Sequence, residues 1–82
     1  MEQKVKYNST IGENMRRLRR AKDYTQEYVA RKLQLMGIDV SISYYSKIER
    51  SELHINPVIL VALAKIFECE INDFFVGITI PK

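Results

Sequence analysis

Cysteine, histidine and glycine are all scarce in this 82-residue chain. Cys69 is the only thiol, His54 the only imidazole, and glycine stands only at positions 12, 37 and 77. One cysteine excludes an intrachain disulfide, and a reducing, cytoplasmic setting is the expectation that follows. A zinc site needs several Cys or His ligands, so the chain alone cannot supply one. A Ser/His/Asp triad would have to use His54, which stands in an apparent loop with no supporting motif. Three scattered glycines do not make a phosphate-cradling loop. Glu68 and Glu70 read as surface charges, and Cys69, between apolar segments, as a small core residue. An enzyme is therefore not expected, and neither is a metal or a cofactor.

Long apolar runs are missing too. The longest, Val58–Ala64, has seven residues and meets Lys65, well short of the ~18 residues of a membrane span. The first ten residues lack the apolar stretch of a secretory signal, so no membrane association is expected. What is present is ordinary for a folded protein: 46% hydrophobic and 28% charged residues. Disorder and fibrous classes are thereby disfavoured. A core this small, with no disulfide, is marginal alone, and a second chain is a natural support.

Charge is unevenly spread. Residues 1–50 carry a net +5 and residues 51–82 a net −2, giving +3 in all. The densest basic stretch runs from Met15 to Lys22. A basic front half suits an anionic partner on that half only. A solvated helix face accounts for the same charge equally well.

Spacing predicts short helices. Ile11, Met15 and Leu18 recur at helical intervals, and Thr10 with Glu13 matches a capping box, so a first helix is expected over about Ile11–Lys22. Thr25 opens a second helix with Val29, Ala30 and Leu33 on its apolar face. Gly37 reads as its stop, which puts Leu35 or Met36 inward for one further turn. Ser41 caps a third helix over Ile42–Arg50 that buries Tyr45 and Ile48. Asn56-Pro57 starts a fourth, to about Phe67, apolar almost all round and so buried on several sides. A short fifth covers Ile71–Phe75. Val76–Ile80 alternates like a strand.

Arg19, the run Tyr24-Thr25-Gln26-Glu27-Tyr28-Val29-Ala30-Arg31-Lys32-Leu33, and Tyr45-Ser46-Lys47-Ile48-Glu49-Arg50 together resemble the Cro/repressor-type helix-turn-helix family. This is the xenobiotic-response-element (XRE) family of bacterial and phage transcriptional regulators. Asn56-Pro57, Leu60, Leu63, Ala64 and Ile71–Phe75 resemble its fourth and fifth helices, and the likeness covers about residues 9–75. It implies an all-α, compact, five-helix lambda-repressor-like domain, here with an N-terminal arm over 1–8 and a tail over 76–82. The chain departs from the family pattern in a longer link between helices 2 and 3. It also has Ser51 where glycine is common.

The resemblance implies double-stranded DNA as partner, with helix 2 across the backbone and helix 3 in the major groove. Ile42, Ser43, Tyr44 and Lys47 fall at base-contacting places. Lys47 can serve guanine or a phosphate, Ile42 a thymine methyl, and Tyr44 a phosphate or a base edge. Thr25, Gln26, Ser41 and Arg50 fall at phosphate-contacting places, where helix N-termini favour anions. Arg19 and Glu49 match an inter-helix salt bridge, with direct phosphate binding the alternative for Arg19. The alternative is that Ile42 and Tyr44 pack on protein.

Family members usually bind as two-fold dimers. Phe74, Phe75, Val76, Ile78 and Ile80 form the expected homodimer surface, with paired tails covering each other's edges. In the competing arrangement Phe74 fills its own core and the tail folds back. The function so implied is sequence-specific regulation of transcription, as a repressor. The alternative is an antitoxin or other interaction module that meets a small protein partner.

Overall fold

A computed structural model describes the backbone of residues 3–78 and the side chains of residues 11–78. Four α-helices are followed by a 3-10 helix: α1 (Gln3–Ala21), α2 (Gln26–Leu35), α3 (Ile42–Glu49), α4 (Pro57–Phe67) and the 3-10 turn Ile71–Phe75. No strand forms among the described residues, so the all-α reading stands, and the described part of the tail, residues 76–78, is not strand. Ile78 follows a turn at Val76-Gly77, and Ile80 lies outside the described residues.

Short polar side chains start three of the helices. Thr25 Oγ1 accepts from the Tyr28 N–H, Ser41 Oγ from the Tyr44 N–H and Asn56 Oδ1 from the Val58 N–H. Each bond satisfies one donor that the first turn leaves orphaned. Pro57 opens α4 with a φ already suited to a helix. The first helix differs from expectation. It begins at Gln3, not near Ile11. Nothing between Gln3 and Thr10 breaks a helix, and the local capping signal at Thr10 is overrun.

Helix ends are sharp. α2 stops at Leu35 and Gly37 takes φ +87°, the left-handed conformation glycine adopts without a steric penalty. Non-glycine residues do the same at three other ends: Asp23, Ser51 and Glu68 have φ of 60°, 61° and 56°. The expected inward turn of Leu35 or Met36 is not found. Leu35 is 82% exposed and Met36 45%. Gly37 reverses the chain one residue later, and Val40 and Ile38 enter the core in their place. Gln34 Nε2 donates to the Val40 carbonyl at 2.7 Å and ties the longer link back onto α2.

The core joins Met15 of α1, Val29 and Leu33 of α2, Tyr45 and Ile48 of α3, and Leu63, Ile66 and Phe67 of α4. Phe74 closes it from the 3-10 turn, its ring centroid 6.3 Å from that of Phe67. Asn14, itself buried, donates to the Phe74 and Val76 carbonyls, both at 2.9 Å, and fixes the turn on α1. Cys69 packs against this core with its thiol pushed up in pKa by burial. α1 meets α3 through Gly12, where any Cβ would overlap the Glu49 carbonyl oxygen.

Candidate nucleic-acid interface

α3 has two contrasting faces. Tyr45 and Ile48 bury, as the spacing required, while Ile42, Ser43, Tyr44 and Lys47 are all exposed. The four exposed residues form no side-chain hydrogen bond or ion pair with the described residues, so their side chains are open to a partner. The first turn of α3 carries no acidic residue.

The opposite end of α3 is anchored by Glu49, which is 2% exposed. Arg19 donates through Nε to Oε2 at 2.7 Å and through Nη2 to Oε1 at 3.1 Å. Its Nη1 also reaches the Tyr24 carbonyl at 3.0 Å. The expected Arg19–Glu49 bridge is thus present and bidentate, the stronger geometry for such pairs. Gln26 Nε2 donates to the same Oε1 at 2.9 Å, and Arg16 Nε lies 3.8 Å from it. Burial alone would raise the Glu49 pKa, but the bonds from Arg19 and Gln26 outweigh it and hold the carboxyl below its ordinary value. The Tyr45 hydroxyl, buried nearby, has no hydrogen-bond partner among the described residues. Burial and then the Glu49 carboxylate push its pKa up, so the phenol stays neutral.

Glu49 therefore ties three helices together: α1 through Arg19, the first residue of α2 through Gln26, and α3 to which it belongs. The family resemblance marked only the first link. The others join Glu49 to Gln26 and Arg16, each more than twenty residues away in the chain. The nearest hint was the recurrence of Arg16 and Arg19 three apart, on one face of α1.

The remaining site residues divide. Thr25 and Ser41 are exposed and act as helix caps. Arg50 folds back: Nη1 donates to Ser46 Oγ at 2.7 Å, and Nε and Nη2 reach Glu52 at 2.9 and 3.3 Å. A phosphate would have to compete with Glu52 for it. Phe74, expected at a dimer surface, is fully buried in the chain's own core and unavailable to a partner. Phe75 and Val76 are exposed and Ile78 half-buried. His54 lies exposed in a loop. No group of His, Cys, Asp or Glu suited to a metal occurs among the described residues, and no described helix is long and apolar enough to cross a membrane.

The helix-turn-helix family model matches residues 15–74, from the middle of α1 through the 3-10 turn. Comparisons with curated proteins and with solved structures gave no match. The match spans the caps of α2 and α3, the Arg19–Glu49 bridge and the open face of α3. On that ground the chain belongs to the Cro/repressor-type (XRE) helix-turn-helix family of DNA-binding transcriptional regulators.

Proposed function

We propose that the protein binds a specific double-stranded operator and represses transcription there, with α3 in the major groove and the start of α2 on the backbone. The observation that carries this reading is the open face of α3. Ile42, Ser43, Tyr44 and Lys47 are exposed together while Tyr45 and Ile48 seat the helix. A side chain exposed in that pattern, with no internal partner, is free to meet base edges. Lys47 donates to guanine or to a phosphate, and the Ile42 side chain offers an apolar contact for a thymine methyl. Thr25, Gln26 and Ser41, at helix N-termini, meet phosphates. Arg50 joins them by exchanging Glu52 for DNA.

The protein acts as a two-fold dimer through Phe75, Val76 and Ile78. Exposed apolar side chains at the end of so small a domain support this.

The test is selection from a random pool of DNA duplexes at ~150 mM salt, where binding to phosphates alone is already weak. An enriched inverted repeat establishes a sequence-specific dimer and gives its half-site spacing. Lys47→Ala should then relax the preference at one position of each half-site.

A second reading, a module that meets a small protein, has one observation in its favour. Met36, Ile38, Val58, Val61 and Lys65 line an open, largely apolar groove of about 430 Å³ between α4 and the link after α2. Folded protein that enriches no sequence would favour that reading.

A further inference from the structure

We propose that Arg16 is a DNA-backbone ligand, held beside Gln26 by their shared partner Glu49, so that the two side chains grip one phosphate region together. The proposal rests on the DNA-binding reading above and adds a residue to it.

The argument begins with charge. Two guanidinium groups, of Arg16 and Arg19, face the single carboxylate of Glu49. Arg19 takes both oxygens at hydrogen-bond distance, and Gln26 takes Oε1 as well. Both oxygens of the carboxylate are thereby engaged. Arg16 is left at 3.8 Å, attracted but not hydrogen-bonded, and donates no hydrogen bond to the described residues. One positive charge remains uncompensated at this place.

Position comes next. The side chain of Arg16 is 41% exposed, whereas that of Arg19 is 11%. Arg19 is a buried strut, while Arg16 can turn its fork outward. Both Arg16 Nε and Gln26 Nε2 lie close to the same atom, Glu49 Oε1, at 3.8 and 2.9 Å. Gln26 has a second N–H on that nitrogen, which its bond to Glu49 leaves over. A phosphate oxygen approaching Gln26 therefore meets the Arg16 fork as well, the planar geometry that suits phosphate best. Three other basic residues are already paired with acids. Lys22 is bound to Glu68, Arg31 to Glu27, and Arg50 to Glu52.

The experiment measures affinity for the selected operator duplex by fluorescence anisotropy between 50 and 300 mM salt. Arg16→Ala and Arg16→Gln are each compared with wild type, and circular dichroism verifies folding. Both should bind about tenfold more weakly, with a salt slope shallower by about one phosphate contact and an unchanged preference for operator over scrambled duplex. Arg16→Lys should restore most of the slope. Lys65→Ala removes the same charge from the groove near the other end of α2 and should leave the slope as in wild type. A wild-type slope in both neutral variants overturns the role of Arg16 and leaves DNA binding intact. An equal loss in Lys65→Ala overturns it too, since the effect is then one of net charge. Failure of wild type to bind any duplex overturns the DNA reading and the proposal with it.

Discussion

Arg19 grips both oxygens of the Glu49 carboxylate across α1 and α3, and both residues are at least nine-tenths buried. Removing one member leaves the other buried without its bidentate charge partner, with only Gln26 and the more distant Arg16 left to Glu49, or the Tyr24 carbonyl to Arg19. Arg19→Met or Glu49→Leu alone should therefore cost about 3–5 kcal/mol of stability. The double substitution should recover a large part of that loss, because no buried charge is then unmatched. Urea denaturation of the three variants provides the measurement. Additive losses would mean that the pair is not a coupled unit.

The same carboxylate makes stability depend on acid. Glu49 is held below its ordinary pKa in the folded chain, while in the unfolded chain it titrates near ~4.3. Its contribution is complete above the unfolded value and is lost as pH falls through the folded one. The Tm of wild type should therefore drop more steeply below about pH 5 than that of Glu49→Gln, which has no proton to take up. The two curves should run parallel at higher pH. Thermal melts from pH 3 to 7 test this.

Two leucines two residues apart should behave in opposite ways. Leu33 is fully buried, and Leu33→Ala should cost about 2–5 kcal/mol through lost burial and the cavity left behind. Leu35 is 82% exposed, and Leu35→Lys should change stability by less than about 0.5 kcal/mol. Chemical denaturation distinguishes them directly, and a large loss at Leu35 would mean that it packs inward after all.

That contrast marks what could be read before the structure. Tyr45, Ile48, Val29, Ala30 and Leu33 follow the 3.6-residue period of their helices, and each one is buried. The bounds of α4 followed from Asn56-Pro57 and an apolar run, and these are local signals too. Leu35 and Met36 continue the apolar composition of α2, but Gly37 turns the chain before they can pack. Hydrophobicity alone does not say on which side of a turn a residue falls. At the candidate interface, the Arg19–Glu49 bridge was legible through the family pattern. The link from Gln26 to the same oxygen depends on how α2 lies against α3, and no spacing encodes that. Phe74 was misplaced for a related reason. Its position at the end of the domain suggested a surface, while the two Asn14 bonds draw the 3-10 turn inward.

Ser51 ends α3 with φ 61°. A residue with a Cβ is strained there by about 1–2 kcal/mol, and glycine is not. Part of that gain is offset by the greater freedom glycine has in the unfolded chain. Ser51→Gly should still stabilise the protein, by about 0.5–1 kcal/mol, readable as a higher urea midpoint with an unchanged slope.

Gly12 lets α1 touch the far end of α3 backbone to backbone, and Tyr45 and Ile48 hold that helix from within. The seat of α3 is thus made by residues other than the four that face outward. In the proposed DNA-binding reading, Ile42, Ser43, Tyr44 and Lys47 work like the teeth of a key whose shank is clamped elsewhere. They can be recut without loosening the lock barrel, so new target preferences should be reachable by exchanging these four side chains on an unaltered frame.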